Sequence, residues 1–180
     1  LFANSTGSNN TAVGSQAYIG DQINFATGSN NTAVGTNTFG GLTTGSENSS
    51  YGVSALQLLS TGNNNDVFGY AAAQSLTTGI RNVAMGSLAL TLNVTGSSNV
   101  AIGFASLYNS TASSNIGIGP YAGFDFTTGT FNLIVGSYAP GLGISTGSFN
   151  TIIGGQITGL SSSLSNNIIF ADGAGNIRAQ

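Results

Sequence analysis

The sequence predicts an all-β protein, a parallel β-roll or β-solenoid of about ten coils with about 17 residues in each coil. Two observations lead to this fold class: a short unit recurs at nearly constant spacing, and asparagine and glycine hold fixed places within each copy. A unit of this length is too short for a helical hairpin repeat, and frequent glycine destabilises helices. Each unit is therefore expected to contain two extended segments joined by corners, with strands pairing between successive coils.

The recurring unit begins with asparagine and ends four residues later with glycine, except in the last copy, where Ala171 replaces the glycine. The asparagines are Asn10, Asn31, Asn48, Asn65, Asn82, Asn99, Asn115, Asn132, Asn150 and Asn167. The glycines are Gly14, Gly35, Gly52, Gly69, Gly86, Gly103, Gly119, Gly136 and Gly154. Successive asparagines are 21, 17, 17, 17, 17, 16, 17, 18 and 17 residues apart, which places one four-residue insertion within residues 18–25. We interpret residues 1–164 as β-roll repeats and residues 165–180 as the final coil with a C-terminal connecting segment.

Glycine and asparagine suit the corners of such a coil. Glycine adopts a positive φ without steric cost, and asparagine is the next most tolerant residue. Asparagines in register can also form a ladder of side-chain amide hydrogen bonds from coil to coil. The sequence leaves both roles of the asparagines open, a ladder between coils or a turn within one coil.

The strand after each asparagine is apolar on both of its faces. The third residue after the asparagine is large and apolar in all ten copies, and we predict that it faces the interior of the coil. These residues are Val13, Val34, Tyr51, Phe68, Met85, Ile102, Ile118, Val135, Ile153 and Phe170. The residue before each of them points the other way and is never charged, as in Ala12, Ala84 and Ile152. Because a thin coil encloses little core, this second face is expected to pack against another chain, and an oligomer is predicted.

Composition excludes most catalytic and nucleic-acid-binding classes. Only 4% of the residues are charged, and the chain has no histidine, cysteine, tryptophan or lysine. Zinc sites, thiol nucleophiles, Ser-His-Asp triads and Schiff-base lysines are thereby excluded, so we expect no enzyme, no cofactor and no metal site. Arg81 and Arg178 are the only basic residues and the formal net charge is -3, which disfavours nucleic acid as a partner. No apolar run approaches the roughly 18 residues that cross a bilayer, so membrane insertion is not expected.

Acidic and aromatic residues supply the remaining candidate sites. The carboxylates, Asp21, Glu47, Asp66, Asp125 and Asp172, all differ in their place within the repeat, so no pair for glycoside cleavage is predicted. Phe124, Asp125 and Phe126 form the densest aromatic cluster outside the strands and are a possible receptor-binding site, because aromatic faces suit sugar rings. Packing between coils or between chains is the alternative role of these aromatic residues.

Threonine-glycine pairs precede most units by three residues. The threonines are Thr6, Thr27, Thr44, Thr61, Thr78, Thr95, Thr128 and Thr146. Regularly spaced threonines on a flat solenoid can order ice-like water. Because there is a single column and two units lack the pair, ice binding is the least favoured hypothesis.

Three segments carry a family resemblance. GSNNTAVGSQA (7–17), GSNNTAVGTNT (28–38) and GSSNVAIGFASL (96–107) resemble the Hep/Hag-like repeats of bacteriophage tail fibres and the head repeats of trimeric autotransporter adhesins. The resemblance covers essentially the whole chain. Adhesin heads have a shorter period, and phage fibres commonly have the longer unit found in this chain. The resemblance implies a left-handed, homotrimeric parallel β-roll.

A function follows from this resemblance as an expectation. It implies an extracellular, non-catalytic segment of a trimeric attachment protein, such as the shaft or head of a phage tail fibre, that displays loops for binding a host surface. The head of a bacterial trimeric autotransporter that binds matrix or cells is the alternative. The implied partners are two sister chains, adjoining segments of the same fibre, and a glycan or protein receptor on a cell surface.

Overall fold

The computed structural model describes residues 4–17, 26–137 and 143–179. Within these ranges the chain has eleven β-strands and no helix, which confirms the all-β prediction. The four-residue insertion within residues 18–25, including Asp21, lies outside the described residues.

Ten of the strands form one parallel sheet in chain order, and each strand pairs in register with its counterpart one coil away. These strands are β1 (Thr11–Val13), β2 (Thr32–Val34), β3 (Ser49–Tyr51), β4 (Asp66–Phe68), β5 (Val83–Met85), β6 (Val100–Ile102), β7 (Ile116–Ile118), β8 (Leu133–Val135), β9 (Thr151–Ile153) and β10 (Ile168–Ala171). An antiparallel strand, β11 (Ile177–Ala179), pairs with β10. The predicted parallel β-solenoid is confirmed. We number its coils first to tenth by their asparagines, Asn10 to Asn167.

Each coil contains one three- or four-residue strand, whereas the sequence predicted two extended segments per coil. Left-handed backbone conformations explain the difference. In the fifth coil φ is +141° at Gly86, +62° at Leu88 and +56° at Leu90, so the chain turns at every second residue after the strand. An extended segment cannot form through such a run. Backbone hydrogen bonds still join the coils there, for example from Ala73 N–H to the Ala89 carbonyl at 2.8 Å.

The interior of the solenoid is a narrow apolar core along the coil axis. Small residues of the strands line one side, and large side chains from the turns fill the rest. The largest fully buried side chains are Phe39, Phe126, Leu42, Leu56, Leu59, Leu76, Leu90, Leu107 and Ile134. Burial of such side chains supplies the main stabilisation of the coil.

The C-terminal hairpin changes the direction of the sheet. Residues 172–176 connect β10 to β11, and β11 runs antiparallel along the last parallel strand. Parallel stacking therefore ends at β10, because its outer edge already has a partner.

Candidate functional site

A continuous ladder of asparagine amides runs through the interior. Each repeat asparagine from Asn31 to Asn167 donates its backbone N–H to Oδ1 of the repeat asparagine one coil earlier, at 2.9 to 3.2 Å. At most steps the side chain adds two further bonds. Asn82 Nδ2 donates to Asn65 Oδ1 at 3.0 Å and to the Gly96 carbonyl at 3.0 Å. The buried amides are thereby satisfied in both directions along the axis.

These contacts decide between the two roles left open for asparagine. The ladder between coils is confirmed. The corner itself is made by the residue before the asparagine, which is left-handed in the described coils, as at Arg81 with φ +57° and Ser98 with φ +58°. From Asn31 to Asn150 the ladder is therefore a buried structural element of the core.

The repeat glycines form the second corner of each coil. Their φ values lie between +122° and +149°, where side chains are strongly disfavoured, which confirms the predicted role of these glycines. Successive glycines also approach closely. A Cβ on Gly86 would lie 2.5 Å from the carbonyl oxygen of Gly103. Glycine is required there by conformation and by space.

The predicted orientation of the strands is wrong. The small residues face the interior, whereas the large apolar residues face outward: Ala84 is fully buried, but Met85 is 41% exposed. The same holds for Val67 against Phe68, which is 38% exposed. The reason is space, since the interior already receives the asparagine and the leucines of the turns, which leaves room on most strands only for a small side chain.

We call the outward side of β1 to β10 the outer sheet face. It consists of the residues one and three places after each asparagine, which flank the middle residue of each strand, buried in β2 to β10 and partly buried in β1. Several of its large apolar side chains are more than a third exposed in the single chain. They are Val13, Tyr51, Phe68, Met85, Ile118, Ile153, Ile168 and Phe170. The two sets of strand residues are thus exchanged relative to the prediction: the large apolar set faces outward and the residue before each of them faces the interior.

The outer sheet face is least polar in its middle. From β5 to β8 all of its side chains are apolar, namely Val83, Met85, Val100, Ile102, Ile116, Ile118, Leu133 and Val135. From β1 to β4 the first residue of each strand is polar, namely Thr11, Thr32, Ser49 and Asp66. Asp66 is the only charged residue on this face of β1 to β10. Continuous apolar surface of this kind is typical of a contact surface.

A second candidate surface is a group of four aromatic rings, which we call the aromatic patch. It consists of Phe104, Tyr108, Tyr121 and Phe124. Phe104 contacts Tyr121 edge to face, with ring centroids 5.2 Å apart, and Tyr121 contacts Phe124 in the same way at 5.7 Å. Tyr108 and Phe124 are stacked at 5.3 Å. The patch joins the sixth and seventh coils on the outside of the solenoid.

The structure separates the three residues predicted as a receptor-binding cluster. Phe126 is fully buried in the core, so the prediction that it contacts a receptor is wrong for this fold. Phe124 is half-buried within the aromatic patch. Asp125 is half-buried, and its Oδ2 accepts a hydrogen bond from Gly143 N–H at 3.3 Å. Sequence reasoning missed Phe104. Aligning the coils by their asparagines puts Phe104 at the fifth position of the sixth coil and Tyr121 at the sixth position of the seventh coil, so the two residues could have been placed next to each other.

The acidic residues are spread over separate places. Glu47 accepts a hydrogen bond from Asn64 Nδ2 at 2.8 Å, and Asp66 lies on the outer sheet face. Asp172 lies in the C-terminal hairpin, where it pairs with Arg178. No group of three or more potential metal-ligating acidic residues occurs within residues 4–17, 26–137 and 143–179.

Asp172 organises the turn of the hairpin. Its Oδ1 accepts hydrogen bonds from the backbone of Ala174 at 2.9 Å and of Asn176 at 3.1 Å. The bonds from the side chain and backbone of Asn176, and then from Ala174, hold the pKa of Asp172 well below its usual range. Arg178 lowers this pKa further.

We expect the hairpin to resist acid because of this shift. A depressed carboxylate pKa contributes stability that is complete above the unfolded pKa, near 3.9, and is lost only as the pH falls through the lower folded value. An NMR titration should therefore give Asp172 a midpoint below that of a peptide aspartate. Asn176→Ala should raise that midpoint, because it removes the side-chain donor. An Asp172 midpoint near 3.9 in the unchanged chain would contradict the hydrogen-bonded turn.

The predicted threonine column lies on the surface. Thr44, Thr61, Thr78 and Thr95 are exposed in four successive coils. The column is interrupted in the seventh coil, which follows the shortest spacing between asparagines, 16 residues. The threonines form one narrow row, and no second uniform row lies beside it.

Comparison with models of protein families finds no match to the chain. Comparisons with curated proteins and with solved structures also find no match. The structure contains no helix, in the ranges it describes, that is long and apolar enough to span a membrane. The resemblance to tail fibres and adhesin heads therefore stays a prediction, and the two surfaces carry the functional argument.

Proposed function

We propose that the chain is a structural segment of a homotrimeric attachment protein, of the tail-fibre or adhesin kind, that displays loops for binding a host surface and has no catalytic role. The observation that carries this proposal is the outer sheet face. From β5 to β8 its side chains are all apolar, and eight large apolar side chains of the face are more than a third exposed on a solenoid whose interior is already filled. Leaving such a surface in water is unfavourable, so a partner that covers it stabilises the fold.

The best partner for this face is another copy of the same chain. The face runs through all ten parallel strands with the spacing of the coils, about 4.8 Å. A second solenoid offers an equally long surface with the same spacing and one charged residue, Asp66, whereas an unrelated globular protein does not. Closed symmetric association covers the face on every copy. The threefold state is taken from the repeat resemblance in GSNNTAVGSQA and its counterparts.

Stability without ion pairs also suits an exposed rod. The coils are joined by backbone bonds, the asparagine ladder and hydroxyl contacts such as Thr77 Oγ1 to the Val94 carbonyl at 2.9 Å. Within the described residues the one salt bridge, between Asp172 and Arg178, lies in the terminal hairpin. The coils are therefore expected to tolerate wide changes of salt concentration.

The proposal is tested by placing charge on the outer sheet face. Val100→Asp combined with Ile116→Asp puts carboxylates into the most apolar part of that face. The trimer is expected to dissociate, because buried unpaired charges are costly. Sedimentation velocity should show the mass fall from three chains to one.

Leu58→Asp is the matched control, since Leu58 is 51% exposed but lies off the sheet. This variant should keep the mass of the unchanged chain. If the double variant also remains trimeric, or if the unchanged chain is monomeric, the outer sheet face is not the contact between copies. Circular dichroism separates dissociation from unfolding in the double variant.

A further inference from the structure

The repeat itself shows where the chain departs from what the fold requires. At the fifth position after the asparagine the first, second and fifth coils carry Ser15, Thr36 and Ser87, whereas the third, fourth and sixth carry Val53, Tyr70 and Phe104. The ninth position holds Gln57 and Gln74 in the third and fourth coils. In the sixth and seventh coils it holds Tyr108 and Phe124. Most coils fold without aromatic residues at these positions, so the fold does not require the rings of the sixth and seventh coils.

The polar residues beside the aromatic patch also depart from the repeat. The tenth position holds leucine in the third and fifth coils and Ser75 in the fourth, but Asn109 and Asp125 in the sixth and seventh. Asn109 Nδ2 donates to the Phe124 carbonyl at 2.8 Å, which fixes its amide against the patch. A carboxylate and a carboxamide therefore lie next to four rings in the same two coils.

We propose that the aromatic patch, with Asn109 and Asp125 at its rim, binds a neutral oligosaccharide. Pyranose rings present C–H groups on their faces, which pack on aromatic rings, and hydroxyls at their edges, which bond to carboxylate and amide oxygens. Phe104 is 43% exposed and offers the most accessible ring. Neither arginine belongs to the sixth or seventh coil, so an anionic sugar lacks a counter-charge there. This proposal names a ligand class for the attachment function proposed above and rests on that function for its biological meaning.

The extent of the patch argues against a second copy as its occupant. Contacts between parallel solenoids should repeat along their length, as the apolar residues of the outer sheet face do. The ninth position holds Gln57, Gln74 and Thr91 in the third, fourth and fifth coils, so the stacked pair of Tyr108 and Phe124 does not continue into those coils. A protein partner also fits poorly. Four partly buried rings expose on the order of 300 Å², against about 800 Å² per partner in a standard protein interface.

The test uses the whole chain and substitutions that the repeat already tolerates. Phe104→Ser introduces the residue that Ser15 and Ser87 supply in other coils, and Phe124→Gln introduces that of Gln57 and Gln74. Tyr70→Ser is the control, because Tyr70 is 60% exposed at the same position as Phe104 in the fourth coil. The probes are neutral hexasaccharides of glucose, galactose and N-acetylglucosamine. Binding is measured by saturation-transfer NMR and titration calorimetry.

We expect at least one probe to bind the unchanged chain, and Phe104→Ser and Phe124→Gln each to weaken it about tenfold or more. Tyr70→Ser should bind as the unchanged chain does. The proposal is overturned if no probe binds, if the patch variants bind normally, or if Tyr70→Ser weakens binding equally. Capture of a protein with no sugar binding would also overturn it. A trimeric chain without sugar binding refutes this inference alone, whereas a monomer that binds sugar refutes the proposed assembly alone.

Discussion

Asn82→Asp is expected to destabilise the solenoid by about 2 to 6 kcal/mol, enough to unfold several coils. The change replaces Nδ2, which donates to Asn65 Oδ1 and to the Gly96 carbonyl, with an oxygen that faces two acceptors. Both acceptors lose their donor, and a fully buried side chain gains a charge. The free energy of unfolding is measured from urea denaturation followed by circular dichroism.

Two comparisons make this result specific to the ladder. Asn166→Asp is the control, because Asn166 is exposed and lies one residue before a ladder asparagine. It should change the free energy of unfolding by less than about 0.5 kcal/mol. The loss in Asn82→Asp should also be smaller at acid pH, where the carboxyl is protonated and can donate one hydrogen bond. Equal effects in the two variants would contradict a continuous interior ladder.

Gly86→Ala should destabilise the chain by at least about 2 kcal/mol, because it imposes both a disfavoured conformation and a steric clash. Gly86 has a φ of +141°, and its added Cβ would lie 2.6 Å from the carbonyl carbon of Gly103. These are backbone atoms in register with the next coil, so neither can move without breaking the stack. The shift in the urea midpoint measures the loss.

Gly173→Ala is the matched substitution in the C-terminal hairpin. A Cβ at Gly173 meets nothing within 4 Å, and its φ is not in the left-handed region. We expect this variant to be as stable as the unchanged chain or slightly more so, since alanine restricts the unfolded state. If Gly86→Ala is tolerated equally well, the close stacking of the glycine corners is wrong.

The coil period and its corners could be predicted from sequence because the backbone allows few alternatives there. Gly86 and Gly103 stack too closely for any side chain, and Asn82 bonds to the coils on both sides. Such positions repeat in every coil and are visible as a spacing. The direction in which the strand side chains point could not be predicted in the same way. Alternation separates the faces of a strand, but the leucines that occupy the interior, such as Leu76 and Leu90, come from turns whose direction the linear pattern does not show.

The candidate site was only partly predictable for a related reason. Phe124 and Phe126 are two residues apart in sequence, yet Phe126 lies in the core at the place that Leu42, Leu59 and Leu76 hold in the second, third and fourth coils. Gly123 leaves space for it, since a Cβ there would lie 3.0 Å from the Phe126 ring. Phe104, 20 residues before Phe124, joins the patch only because the coils stack in register. Neighbours across coils, rather than neighbours along the chain, define the surface.

Small-angle X-ray scattering of the unchanged chain gives the mass and the shape of the particle in one measurement. If the outward apolar residues of the sheet pack against sister solenoids, the particle has three times the 17.9 kDa mass of one chain and a length of about 50 Å from ten stacked strands. Scattering from a single 17.9 kDa chain at every concentration would contradict this assembly.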